Sequence, residues 1–276
     1  MSATILDGRA TRATLIPGLL EKIAALTQTP TLVIIQLGDR PDSRAFIKAK
    51  KSFAKEIGVK EKHIKMPEAT SEEEVLQVVQ AYNTDPTVQG IIVQLPLPTH
   101  VDADKVIEAI DPKKDVDGLT SFNMKALADG QGTVMLATAR GIRELLDHHS
   151  ISLAGKVVTI IGRSKLVGQP IAAMCRAAKA EVIVCDRTTA DLVKETQKAD
   201  IVIVAAGHPG LVTVEHVKPG QVIVDVGITR SADSGLVGDV DFDAVKDVVG
   251  AITPVPGGVG PMTVFALFEN LVDLSV

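Results

Sequence analysis

Lys156 to Cys175 reads KVVTIIGRSKLVGQPIAAMC, and the fold follows from this stretch. Val157, Val158, Ile160 and Ile161 form a short β-branched run, the pattern of a strand buried on both faces of a parallel sheet. The run breaks at Gly162, crosses a polar turn, and resumes with helical spacing at Val167, Ile171, Met174 and Cys175. Strand, glycine turn and helix frame a phosphate site, because backbone N–H groups at a helix start hold an anion. The turn, Gly162-Arg163-Ser164-Lys165-Leu166-Val167-Gly168, lacks the G-x-G-x-x-G spacing and by itself is a weak nucleotide signal. Its surroundings strengthen it. Short apolar runs recur at 182–185, 201–206 and 222–226, with helical patterns between the first three strands, and Asp186 follows Gly162 by 24 residues. This alternation predicts a doubly wound sheet with a dinucleotide at its switch point.

Toward the N-terminus the same alternation continues. Residues 8–27 read as a helix that Pro17 should kink or restart. Thr31 to Leu37 (TLVIIQL) and Gly90 to Gln94 (GIIVQ) read as buried strands, with a further strand over 61–66. After a loop over 38–42, Ser43 is placed to cap a helix that ends before Gly58. Ser71 and Glu74 form a capping box for a helix to about residue 83. Shorter helices are predicted near 103–110 and 120–128. A loop or short strand covers 130–136, Thr138 caps a helix to Leu146, and 251–259 is a Pro/Gly loop before a final helix over 261–274.

Within the 43–57 helix, Phe46, Lys50, Phe53 and Ile57 share one face while Lys48, Lys51 and Lys55 share the opposite one. Lys50 therefore sits inside an apolar stripe. Either it snorkels to water at the stripe's edge, or it is a desolvated amine whose lowered pKa suits proton transfer. Gln94 is polar at the C-terminal end of a parallel strand, where α/β proteins place ligand contacts; loop capping is the plainer reading. The Asp111–Gly118 loop carries three Asp around two Lys, and on charge alone reads as solvated.

The chain has 276 residues, 46% hydrophobic and 3% aromatic, so its core is aliphatic and spans one large or two ordinary domains. A net charge of −5 without a basic block argues against nucleic-acid binding. Cys175 and Cys185 lie in apolar patterns and read as buried thiols. No apolar run approaches the ~20 residues of a membrane span. No metal site is indicated, and a cytoplasmic protein without a signal peptide is expected.

Several segments resemble the bifunctional methylenetetrahydrofolate dehydrogenase/cyclohydrolase family. The strongest are Thr253-Pro254-Val255-Pro256-Gly257-Gly258-Val259-Gly260-Pro261-Met262-Thr263 and Gly90-Ile91-Ile92-Val93-Gln94-Leu95-Pro96-Leu97-Pro98. Lys114-Asp115-Val116-Asp117-Gly118, Gly162-Arg163-Ser164 and Val167-Gly168-Gln169-Pro170 also match. Leu6-Asp7-Gly8, Asp225-Val226-Gly227-Ile228 and Val237-Gly238-Asp239-Val240 match more weakly.

The resemblance implies an N-terminal α/β catalytic domain (1–119 plus 261–276), a Rossmann-type NADP-binding domain (120–260, with NAD as the alternative), and a cleft between them. It implies Lys50, Gln94 and Asp117 as catalytic residues, and Phe46, Leu95, Pro256, Gly257 and Gly258 as further folate contacts. Gly162, Arg163, Ser164, Val167, Gly168, Arg187, Ala206, Gly207, Ile228 and Thr263 would contact the cofactor. A homodimer in one-carbon metabolism, supplying purine biosynthesis, is implied as well. This chain departs from the family at Phe46, where Tyr is usual, and at Leu136-Ala137-Thr138-Ala139. It also has Asp186 where many relatives have His. An acidic residue there favours the free ribose hydroxyl of NAD, whereas Arg163 and Arg187 suit a phosphate.

Overall fold

The structure, a computed structural model, describes residues 3–129, 134–231 and 235–276. It divides into two compact units, residues 15–137 with 264–276, and residues 1–14 with 138–263.

The first unit is built on a three-stranded parallel sheet in the order Lys60–Met66, Thr31–Leu37, Gly90–Val93. Both faces of the central strand are covered, so Leu32 to Ile35 are all buried. This is why its sequence reads as a continuous apolar run rather than an alternating one. Val33, Ile35 and Leu37 pack with Val75 and Val79 of the helix Glu72–Thr84, whose Ser71–Glu74 capping box forms as expected. The helix Pro41–Glu56 brings Phe53 against Phe265 and Phe268 of the last helix, with ring centroids 6.1 and 5.4 Å away.

The second unit carries a six-stranded parallel sheet. Its order is Thr4–Ile5, Ala251–Ile252, Val222–Asp225, Ile201–Val204, Val157–Ile161, Glu181–Cys185. The chain starts at Val157–Ile161, moves outward to Glu181–Cys185, then returns to the other side at Ile201–Val204. The switch point therefore lies beyond Ile161 and Val204, where an open α/β sheet takes its ligand.

Several boundaries differ from the sequence reading. Ser43 does not cap its helix. The helix begins at Pro41, whose fixed φ and missing N–H suit a first turn, and Ser43 is buried within it. Likewise Thr138 lies inside a helix that starts at Ala137. The first helix, Gly8–Ala24, passes through Pro17 without a break. Ala251–Ile252 is a strand rather than loop, and the final helix opens at Val259. The edge strand Thr4–Ile5 and the hairpin of Thr229–Ser231 with Gly235–Val237 are too short to show a periodicity. Residues 130–133 of the segment read as loop or strand lie outside the described residues.

Asn270, fully buried on the last helix, donates its Nδ2 to the carbonyls of Val116 at 2.9 Å and Met135 at 2.7 Å. Asn270→Ala leaves both acceptors without that donor. It should cost about 1–3 kcal/mol, read as a lower urea midpoint; an unchanged midpoint would show that the two bonds contribute nothing net.

Candidate active site

Lys50 is buried, with 8% of its surface exposed, so it does not snorkel. Its Nζ donates to Gln94 Oε1 at 3.0 Å. Gln94 Nε2 in turn donates to the Leu95 carbonyl at 2.8 Å, which fixes the amide with its oxygen toward the lysine. Burial pushes the Lys50 pKa down, and the charge of Asp117 opposes that shift. The closest partner is thus a neutral acceptor, which holds the amine without demanding that it stay charged. Phe46, one helical turn earlier, is 41% exposed. At Asp117 loss of water raises the carboxyl pKa most, Lys50 lowers it, and Asp115 raises it.

The Asp-rich loop is not the solvated segment its charge suggested. Asp115 is 1% exposed and acts as the loop's organiser. Its Oδ1 accepts from Gly118 N at 2.9 Å, and its Oδ2 from Thr120 N at 2.8 Å and Asn123 Nδ2 at 3.0 Å. Lys114 Nζ is spent on the carbonyls of Tyr82 and Asp85. Ile91 N donates to the Lys114 carbonyl at 2.7 Å, which ties the loop to the strand that leads into Gln94. Asp117 is presented from this rigid loop, and its own carbonyl accepts from Ala137 N.

In the second unit the chain has no room for side chains at the switch point. Gly162 has φ +120°, and a Cβ there would lie 2.2 Å from the Ala205 carbonyl oxygen; one at Gly168 would lie 2.1 Å from the Gly162 oxygen. Only glycine fits either place, and the strand–turn–helix approach it permits is the cradle a dinucleotide phosphate requires. Ser164 Oγ accepts from Gly168 N at 3.3 Å as the helix Gly168–Ala177 begins after Val167. Ile228 is exposed, and its side chain approaches Gly260. Thr263 Oγ1 donates back to the Val259 carbonyl. Pro256 follows a cis peptide bond, and Gly257 has φ +122°. A Cβ at Gly8 would lie 1.8 Å from the Gly258 oxygen, so these two glycines meet backbone to backbone.

Two buried carboxylates that sequence reasoning did not single out hold the loops around 206–207, 227 and 239–240. Asp239 Oδ2 accepts from Ala206 N at 2.7 Å and Gly207 N at 2.8 Å. Asp225 Oδ1 accepts from Gly227 N at 2.9 Å and Asp239 N at 3.1 Å, and its Oδ2 from Val240 N at 2.9 Å. A Cβ at Gly227 would strike the Asp239 carboxyl, and one at Gly238 would strike that of Asp225. The available signal was an Asp ending a buried strand, paired with Gly-Asp downstream.

Asp186 is held by its own turn. Its Oδ1 accepts from Thr188 N at 2.9 Å and Thr188 Oγ1 at 2.6 Å, and these bonds lead in holding its pKa below the usual range, with Arg163 and Arg187 assisting. Arg163 Nη1 lies 3.9 Å from its Oδ2. A cavity of about 560 Å³ beside it is lined by Arg163, Gln169, Ala172, Arg176 and Val184. Two guanidinium groups without a carboxylate in the lining suit a phosphate. Arg176, in the last turn of its helix, was not singled out in the sequence.

Among the described residues no group of three His, Cys, Asp or Glu could hold a metal ion, and no helix is long and apolar enough to cross a membrane. Both cysteines are buried, and burial pushes the Cys175 thiol up to about 12, which keeps it inert.

A doubly wound sheet with a dinucleotide cradle and a separate unit presenting a desolvated lysine define a nucleotide-dependent α/β enzyme. Residues 6–117 match the family profile described as tetrahydrofolate dehydrogenase/cyclohydrolase, catalytic domain, and residues 136–275 that of its NAD(P)-binding domain. The chain belongs to the tetrahydrofolate dehydrogenase/cyclohydrolase family. It is 45% identical to the bifunctional protein FolD of Lacticaseibacillus casei, over 99% of this chain and 98% of that one. It also superimposes on the bifunctional FolD dehydrogenase/cyclohydrolase of Campylobacter jejuni with a TM-score of 0.96 at 41% identity, covering 99% of each chain. The Trypanosoma brucei FolD, solved with NADP cofactor and inhibitor, gives 0.95 at 34% identity, covering 100% of this chain and 98% of that one.

Burial raises the Asp225 pKa from 3.8 to about 6, against the backbone bonds that lower it. The folded state therefore keeps a proton that the unfolded chain releases, and stability from this group falls as pH rises from about 4 to about 6, then stays level. Asp225→Asn cannot titrate, so the difference in stability between the two proteins should change by up to about 3 kcal/mol across that window. Urea melts at pH 4, 5, 6 and 7 check this; a constant difference would count against it.

Proposed function

We propose that this chain oxidises 5,10-methylenetetrahydrofolate to the 5,10-methenyl cation with NADP, then hydrolyses the cation to 10-formyltetrahydrofolate. The observation that carries the hydrolytic step is the buried Lys50 amine held by the neutral Gln94 amide. Residues 1–119 with 261–276 carry the folate chemistry, and 120–260 bind the cofactor. When bound, NADP supplies the hydride acceptor. Gly162, Arg163, Ser164, Val167, Gly168, Ala206, Gly207, Ile228 and Thr263 form its seat. Arg163 and Arg176 take its 2′-phosphate, with Arg187 nearby in sequence.

In the folate site, Asp117 accepts from the pterin's amino and ring N–H groups, the only role open to an ionised carboxylate. Phe46 stacks on the pterin, Leu95 offers backbone, and Pro256, Gly257 and Gly258 allow close approach. Lys50 takes the proton of the water that adds to the methenyl carbon. The bond from that carbon to N5 then breaks, N5 takes a proton, and the formyl group stays on N10. A lowered amine pKa makes this transfer effective near neutral pH. Supported by the family resemblance alone are a cytoplasmic location, a homodimer, and use of the product in purine biosynthesis.

Absorbance of the reduced nicotinamide and of methenylfolate, followed together, tests the assignment. Both steps run if reduced cofactor forms without methenyl accumulation. Lys50→Met should lower hydrolysis at least 10²-fold. Gln94→Glu should raise the Lys50 pKa and move the pH profile of hydrolysis upward by about one unit or more. An unmoved profile would remove Gln94 from that role. Methenylfolate that accumulates in the unmodified protein would favour the second reading, a dehydrogenase only, for which the missing hydroxyl of Phe46 is the specific reason. Arg176→Ala should raise the KM for NADP about tenfold and leave that for NAD unchanged; an equal effect on both would place the 2′-phosphate elsewhere.

A further inference from the structure

The helix that buries Lys50 carries a second feature on its opposite side. Arg44, Lys48, Lys51 and Lys55 recur at four, three and four residues, a single stripe along the helix. The stripe faces Gln36, Glu61, His63 and Lys65 of the sheet across a cavity of about 740 Å³. Five Lys or Arg side chains line it against two carboxylates, Asp39 and Glu61, in a chain whose net charge is −5.

The carboxylates are already committed. Asp39 lies 2.9 Å from Lys65 and 3.3 Å from Arg44, and Glu61 lies 3.2 Å from Lys51. Among the described residues Lys48 and Lys55 have no acidic partner. They stand two helical turns apart, about 10 Å along the axis, with Lys51 between them. The floor is neutral and fixed. Gln36, 2% exposed, donates Nε2 to the Gly38 carbonyl at 2.9 Å, and its Oε1 accepts from His63 Nε2 at 2.8 Å. The excess charge is felt there. Burial leads in pushing the His63 pKa down, and Lys51 and Lys65 push it further, against Glu61.

We propose that this cavity is a binding site for a compact small molecule carrying two or more negative charges, a phosphate ester or a polycarboxylate. Its anionic groups bridge Lys48, Lys51 and Lys55, and a polar atom meets the Gln36–His63 floor. The site is separate from the folate and cofactor residues, and it does not depend on their assignment.

The test is a titration of the full chain with tripolyphosphate, at constant ionic strength and with saturating NADP so that the dinucleotide cradle is filled. The histidine ring signals are followed by NMR. One saturable event should move the His63 signal and raise its titration midpoint, because a bound anion offsets Lys51 and Lys65. Lys48→Gln with Lys55→Gln, both exposed and outside the catalytic machinery, should weaken binding at least tenfold with dehydrogenase kcat unchanged. Citrate run in parallel separates the sources. Weaker binding than tripolyphosphate assigns a phosphate ester, and equal or tighter binding a polycarboxylate. An unmoved His63, affinity unchanged in the double variant, or a response that chloride reproduces would overturn the proposal.

Discussion

A lysine amine enclosed by protein with an amide as its partner is the constraint on which the first unit depends. Burying a charged amine is costly, and pairing it with a carboxylate would restore the charge. The 3.0 Å bond to Gln94 avoids both outcomes. It requires the Gln94 side chain to be held still, which the Leu95 carbonyl does, and the strand Gly90–Val93 to be fixed in register, which the central strand does. It also requires Asp117 to be near enough to be felt but not to take over the amine. That spacing is set by Asp115, whose two oxygens organise the loop around it.

The second unit solves a different problem with the same chemistry. Its loops around 206–207, 227 and 238–240 carry glycine and small residues. Asp225 and Asp239 supply the anchorage from below, through backbone N–H groups of 206, 207, 227, 239 and 240. The glycines at 227 and 238 make room for the carboxylates, since a side chain there would displace them.

The helix Pro41–Glu56 divides its labour by face. Phe53, Ile57 and Lys50 are buried, while Lys48 and Lys55 stay exposed over a second cavity. A spacing of three and four residues is enough to keep the two lysine environments apart, because such residues share a face and those between them do not. The same residue type thereby occurs as a desolvated amine at Lys50 and as an exposed one at Lys48, two positions apart.

The sequence by itself determined the elements and their class. Continuous β-branched runs such as Val157–Ile161 and Thr31–Leu37 announce parallel strands covered on both faces, and the stripe of Phe46, Phe53 and Ile57 marked Lys50 as out of place. Those features are local, since they rest on periodicity and on the glycine demanded by a tight turn. Tertiary structure alone decided that Lys50 is enclosed instead of snorkelling, and that Asp115 is an organiser instead of solvated charge. It likewise brought Asp225 to Asp239 across 14 residues of sequence. Each of these depends on what a neighbouring segment places around a polar group, and burial, which sets the fate of a charge, is a property of packing that no single stretch of chain encodes.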